Sequence, residues 1–471
     1  MPAFLAISLP LDVVSDGLGW GHEWQWGYFK HPPLPSWEVE VFFDALGDIG
    51  PFFLSQISIG VTYFFVFLLG RRMMPADRAL AGTILLVGVY YFSIPTPEFN
   101  HNVALMPLWA AAAYFYYAAL QTGAVRAWLL LGIVVGIGML SKYEMAVLAA
   151  VMALHAISSP RKQPILTSGG PYYALLACLA VTLPNLIWLV HHDFSTLHYA
   201  EMRSGHGDVL HWLLVPPHFL LSQMLALAPC LIIAAFVGIL RRDTFRNRVN
   251  LHDENLRFLV LLGVGPALFC AVLSLVTGMG LRDMWGAPMW NLTGLILVRL
   301  ASDFWDRVSF SRLLYCTAAL FVLLPVSYAL STKYVTVWHG RPSRTQWPDR
   351  ALAERFSRLW HSKMAQPLEI VAGDAWLAGL IALRETPRPS VFTDGNYSEA
   401  PWITPQRLKR AGALVVWQDS QKPEPPPQLR LPGLVVQDVQ VFAWPDAPSA
   451  KPLRVYWGIV PPYSIQKHAG R

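Results

Sequence analysis

The chain has 471 residues, 54% of them hydrophobic and only 14% charged, with a mean hydropathy of +0.39 and a formal net charge of +6. That composition excludes an ordinary soluble enzyme, a disordered chain and a disulfide-framed scaffold, and it describes a multi-pass membrane protein. Residues 1–334 hold 19 basic and 19 acidic side chains, so the whole excess of charge lies in the tail; no nucleic-acid partner is expected.

In chain order, MPAFLAISLP is too short to cross a bilayer and has no basic leader. Residues 12–50 then mix carboxylates, tryptophans and prolines, above all in GWGHEWQWGYFKHPPLPSW. Tryptophan favours the headgroup level and the Pro32–Pro33 pair stops a helix, so two interfacial helices joined by a stiff elbow are expected. Asp12, Asp16, Glu23, Lys30 and His31 are gathered there. They either anchor this loop at the lipid boundary or line a site where a headgroup is processed.

About ten spans follow, at 51–70, 79–95, 102–120, 127–140, 144–158, 171–191, 213–240, 256–277, 285–301 and 311–332. One set of loops carries fourteen lysines and arginines, among them Arg71, Arg72, Arg161, Lys162, Arg241, Arg242, Arg246, Arg248 and Arg307. The other set carries only Lys30, Lys142, Arg203 and Arg282. By the positive-inside rule the first set is cytoplasmic, so the loop at 12–50 and the tail face outward.

Within the outer set, PTPEFNHN supplies Glu98, Asn100, His101 and Asn102, suited to holding sugar hydroxyls or to capping a tight turn. Spans at 127–140 and 144–158 are short, which sinks Ser141, Lys142, Tyr143 and Glu144 below the surface. Lys142 there is a functional candidate, with pairing to Glu144 as the structural alternative. Arg203 and Arg282 suit phosphate because a guanidinium donates two hydrogen bonds at once, or they form loop ion pairs.

After residue 334 the pattern changes to alternating helical and strand-like pieces: PDRALAERFSRLWHSK, LEIVAG, DAWLAGLIALRE, PSVFTDG, TPQRLKRAG, ALVVW, GLVVQDVQVFAW and PLRVYWGIV. The expected architecture is an all-α membrane domain over 1–334 and a small extracytoplasmic α/β domain over 335–471. Cys178, Cys230, Cys270 and Cys316 all lie in apolar runs, and no metal-type spacing appears.

LDVV, GYFKHPPL, TPEFNHN, GMLSKYE and PNLIWLVHHDF occur in an order that resembles bacterial family 39 membrane glycosyltransferases, the protein O-mannosyltransferase and lipid A aminoarabinose transferase group. The resemblance implies a GT-C fold in the bacterial cytoplasmic membrane. It implies transfer of a sugar from a polyprenyl-phosphate carrier to an acceptor lipid, polysaccharide or protein on the outer face. Asp12 matches the family's acidic residue, with Asp16 as the second acid. Lys30, His31, Lys142, Arg203 and Arg282 would bind the lipid phosphate, while Glu98, Asn100 and His101 hold sugar or brace the loop. Lys30 then His31 stands where aminoarabinose transferases have Glu then Lys, which favours phosphate binding over acid chemistry. Family members also carry a spanning helix before the acid, whereas eleven residues precede Asp12, so the first family helix is expected to be missing. No cofactor is named; a divalent metal is compatible with such an enzyme, without a clear site. The rival reading is a lipid-linked sugar transporter or flippase, and a third is a membrane scaffold whose tail binds a partner.

Overall fold

The computed structural model describes residues 2–158, 165, 167–205, 209–239, 253–301, 307–335, 342–418, 424–447 and 450–463. Arg161, Lys162, Arg241, Arg242, Arg246, Arg248 and the side chain of Arg307 lie outside the described residues.

The helices in chain order are α1 (Leu34–Leu46), α2 (Gly50–Met73), α3 (Ala76–Leu85), α4 (His101–Thr122), α5 (Val125–Ser141), α6 (Met145–Ser158), α7 (Gly170–His191) and α8 (Ser195–Ser204). They continue as α9 (Val209–Val237), α10 (Glu254–Thr277), α11 (Thr293–Leu300) and α12 (Arg307–Leu330), then α13 (Asp349–His361), α14 (Ala375–Leu383) and α15 (Pro405–Ala411). Among the described residues, six helical stretches are long and apolar enough to span a bilayer: 34–73, 101–122, 170–191, 212–237, 254–277 and 309–334. Two shorter apolar helices, α5 and α6, accompany them.

Two of the ten expected spans are not continuous helices. In the 79–95 stretch, α3 stops at Leu85 and gives way to two 3-10 turns separated by Val89 in an extended conformation. In the 285–301 stretch, a 3-10 segment at Asp283–Trp290 precedes the eight-residue α11. The hydropathy of these stretches is right for burial, but the backbone is broken. Irregular backbone in a membrane must be satisfied by protein groups, and Gln223 of α9 does this. Its amide donates to the Asp283 carbonyl at 3.0 Å, and its oxygen accepts from the Tyr91 hydroxyl and the Trp290 indole, both at 3.1 Å. The single Tyr91 hydroxyl proton is shared with the Asp283 carbonyl, the nearer acceptor at 2.6 Å.

The chain divides into two compact units: residues 30–34 with 53–324, and residues 1–29 with 35–52 and 325–471. In the first unit, glycines let helices approach closely, the usual device where lipid supplies no hydrophobic drive between helices. A Cβ on Gly132 of α5 would lie 2.1 Å from the Ala174 carbonyl oxygen of α7, and one on Gly294 of α11 would lie 1.8 Å from that of Gly82 in α3.

The second unit is an α/β structure built on a six-stranded sheet. Its strands are β1 (Ile370–Gly373), β2 (Ser390–Thr393), β3 (Ala413–Trp417), β4 (Val435–Val436), β5 (Gln440–Phe442) and β6 (Leu453–Val460). The order is β2-β1-β3-β6-β4, with β5 also on β6; β1 pairs parallel with β2 and β3, while β6 runs antiparallel to β3, β4 and β5. β1, β2 and β3 are buried along their whole length, as their unbroken apolar runs require. Asp374 caps α14 through the amides of Trp376 and Leu377.

The same unit holds the early loop. A single π-helical turn (Val13–Leu18) and α1 pack together, with Ser36 donating to the Asp16 carbonyl at 2.7 Å. Val14 lies where a Cβ on Gly379 of α14 would come within 2.9 Å of it. Arg388 bonds both oxygens of Glu40 at 2.9 and 2.7 Å, and Arg384 joins Asp48 at 2.7 Å to Asp349 at 2.6 Å. Two loop carboxylates, Glu40 and Asp48, are thus each paired with a tail arginine.

Candidate functional site

α5 follows α4 after a two-residue connection, so the start of α4 and the end of α5 share one end of the first unit. The Asn100 side chain accepts from the amides of Asn102 and Val103 at 2.9 and 3.3 Å, which sets where α4 begins. His101 and Asn102 are thereby fixed on its first turn. Asn100 is thus committed to capping, the structural alternative at that position.

α5 ends at Ser141, and Lys142 adopts an extended conformation (φ −161°) before α6. Its ammonium donates to Asn102 at 2.7 Å and to Glu144 at 2.5 Å, and it stands 5.9 Å from the centre of the Trp285 ring. Lys142 and Glu144 side chains are 11% and 9% exposed, so this is a largely desolvated pair. The second Glu144 oxygen is buried with no hydrogen-bond partner among the described residues. Next to it, the Tyr143 hydroxyl donates to Asn185 of α7 at 2.8 Å.

His31 stacks on His101 with ring centres 3.9 Å apart and planes tilted by 32°, and Tyr199 of α8 approaches edge-on at 6.5 Å. Burial first, then the charges of His101, Lys142, Lys30 and Arg203, hold the His31 imidazole well below its ordinary range. At neutral pH it is uncharged. Arg282 donates to the Arg203 carbonyl at 3.2 Å, and the Gly280 amide donates to the Ser204 carbonyl at 2.9 Å, joining the ends of α8 and α10. Both arginines are exposed.

The structure thus brings the His31–His101 stack and the Lys142–Asn102 and Lys142–Glu144 hydrogen bonds to the first turn of α4, with Lys142, Lys30 and Arg203 in electrostatic reach of His31 and Arg282 tied to Arg203. Glu98 lies in the turn before α4, its amide bonded to the Pro95 carbonyl at 3.1 Å. Asp12 immediately precedes the π-helical turn of the other unit, and Asp16 is buried within that turn. Tyr199 and Gln223 were not among the residues selected from sequence, whereas Asn102 was. Gln223 had a signal, being a lone amide in the apolar run of α9; Tyr199 had none.

The opposite ends of these helices are organised differently. Arg299 donates to Asp253 at 2.8 Å and to the Met73 carbonyl at 3.0 Å, and Tyr117 donates to Asn255 at 3.0 Å. Among the described residues no group of three or more His, Cys, Asp and Glu side chains is placed to hold a metal ion.

Fold and cluster together define the class: a helical, multi-pass integral membrane protein with an α/β unit and a cationic cluster at one end of its membrane helices. The family described as dolichyl-phosphate-mannose-protein mannosyltransferase matches residues 30–188, the stretch carrying His31, His101 and Lys142. Lipopolysaccharide core galacturonosyltransferase RgtB of Rhizobium johnstonii is 24% identical over 430 residues, 88% of this chain and 83% of that protein. Undecaprenyl phosphate-alpha-4-amino-4-deoxy-L-arabinose arabinosyl transferase 1 of Pseudomonas fluorescens is 26% identical over 170 residues, 33% of this chain and 30% of that one. The crystal structure of ArnT from Cupriavidus metallidurans bound to undecaprenyl phosphate superposes with a TM-score of 0.60 at 13% identity, covering 98% of this chain and 95% of that one. The chain is thus similar to membrane glycosyltransferases of the family 39 type, as its motifs implied.

Proposed function

We propose that this protein transfers a sugar from a polyprenyl-phosphate carrier to an acceptor at the outer face of the bacterial cytoplasmic membrane. The carrying observation is the cluster of Lys142, Lys30 and Arg203 around the His31–His101 stack. Positive charge held in a poorly hydrated site stabilises the negative charge that grows on phosphate as the bond to the anomeric carbon breaks. Lys30, His31 and Arg282 would seat the phosphate, with Lys142 and Arg203 assisting.

Asp12 is assigned the acceptor proton by the family resemblance, a role that contributes about 10²–10⁴-fold in typical systems, and Asp16 is its supporting acid. Attack opposite the departing phosphate would invert the anomeric centre. Glu98, Asn100 and His101 would brace the site or hold sugar hydroxyls. The names of the relatives make a lipopolysaccharide-type glycolipid the first acceptor to test, and galacturonosyl the first sugar.

The test is transfer from a labelled undecaprenyl-phosphate sugar to lipopolysaccharide acceptor in detergent, where no second compartment exists. Labelled product supports the enzyme. Carrier binding without product, across galacturonosyl and aminoarabinosyl donors, would favour the transporter instead.

A further inference from the structure

His31 is the one imidazole among the residues proposed to seat the phosphate, and it stands among the cations Lys30, Lys142 and Arg203. Its surroundings are specific. His101 covers one face of the His31 ring at 3.9 Å, and Tyr199 meets it edge-on at 6.5 Å. The charged and titratable groups of the first unit that face it are Lys30 from its own loop, His101 from α4, Lys142 and Glu144 from the α5–α6 turn, and Tyr199 and Arg203 from α8. Three are cations and one is a carboxylate, and that carboxylate is already engaged by Lys142. The local field is therefore positive, and it opposes a proton on His31.

Resting on the reading of this cluster as a phosphate seat, we infer that His31, stacked on His101, is a proton-binding partner of the carrier phosphate, uncharged in the free protein and protonated from solvent when a phosphate monoester dianion enters. No covalent bond changes in this step: one solvent proton moves to the imidazole, and the phosphate stays dianionic. The low basicity of free His31 follows from burial and the neighbouring cations, and an incoming dianion cancels the second of these causes. The charge of the ligand then grades the response. A sugar-linked phosphodiester carries one negative charge and draws the proton weakly, whereas the spent carrier, a monoester with a second ionisation near pH 6, carries about two at pH 7.5. The spent carrier is thus held as an imidazolium–phosphate pair, and loss of that proton loosens it for release.

The experiment is calorimetric titration of the full-length protein in detergent with undecaprenyl phosphate at pH 7.5, in Tris and in HEPES, whose ionisation heats differ. At that pH the cations can only favour the dianion further, so the phosphate itself takes up no proton. Expected is a buffer-dependent heat corresponding to about one proton taken up per phosphate, with affinity falling up to about tenfold per pH unit as the pH is raised. In His31→Gln the buffer dependence should vanish while saturable binding persists. Equal heats in both buffers for the unaltered protein, or unchanged proton uptake in His31→Gln, overturn the inference while leaving the phosphate seat intact. Absence of saturable binding by the unaltered protein overturns the seat and the inference together. The two-buffer comparison and its pH series need no variant, so a folding defect in His31→Gln does not remove the test.

Discussion

Arg388 holds both carboxylate oxygens of Glu40 although 348 positions separate them, and the two side chains are only 14% and 3% exposed. Both hydrogen bonds come from one guanidinium nitrogen, Nη1, and they place α1 against the segment leading into β2. Removing Arg388 leaves the Glu40 carboxylate buried with only His22, 3.6 Å away and 40% exposed, beside it.

Arg388→Ala is therefore expected to destabilise the α/β unit by about 3–5 kcal/mol, read as a lower midpoint of thermal unfolding in detergent. Glu40→Gln combined with Arg388→Ala should recover part of that loss, because no bare charge remains. A double variant no more stable than Arg388→Ala would mean the pair does not couple.

Lys142→Met removes the ammonium shared by Asn102 and Glu144. Hydrogen bonds to charged groups are each worth about 1.5–3 kcal/mol, so undecaprenyl phosphate should bind roughly ten- to a hundredfold more weakly. Binding assays with labelled carrier read this directly, and unaltered affinity would remove Lys142 from the phosphate seat.

Asp12→Asn should abolish sugar transfer while carrier binding is kept, since the amide retains shape but cannot accept a proton at neutral pH. Retained turnover would end the assignment of Asp12 as the base.

His22 lies 3.6 Å from Glu40, and that carboxylate raises its proton affinity above the ordinary value near 6.5. A raised value in the folded state means stability that is fully present below the unfolded value and is lost as pH climbs through the folded one. The midpoint difference between the natural protein and His22→Gln should accordingly shrink as the pH rises above about 6.5. The effect is small because His22 is 40% exposed. A difference that grows with pH would contradict the pairing.

Gly294→Ala would drive a methyl group onto the Gly82 carbonyl, 1.8 Å from the new carbon. Backbone cannot yield as a flexible side chain does, so a loss of about 1–3 kcal/mol or more is expected. The comparison is with Gly60→Ala, a position with nothing within 4 Å of an added Cβ.

Much of the α/β unit could be read from sequence because its signals are local. LEIVAG, PSVFTDG and ALVVW each became a buried strand, and PDRALAERFSRLWHSK became α13. Lys142 was legible too, since a lysine between two short apolar helices has few places to go, and pairing with Glu144 was one of them. The interruptions near Val89 and Gly286 were not legible, because hydropathy counts apolar residues and is blind to how Gln223, two helices away in sequence, satisfies a broken backbone. The Glu40–Arg388 and Asp48–Arg384 pairs were equally hidden: charge composition reveals their sign but not their partners. Asn100 illustrates the middle case, where sequence offered capping and sugar binding side by side and geometry showed the cap.

The pairing of Glu40 with Arg388 and of Asp48 with Arg384 changes how genetic truncations should be interpreted. Deleting everything beyond residue 334 would also strip the counterions from two acids near the start of the chain, so a null phenotype would report on both segments at once. Charge-swapped alleles at position 40 and position 388, tested singly and together for mutual suppression, would disentangle them where a deletion cannot.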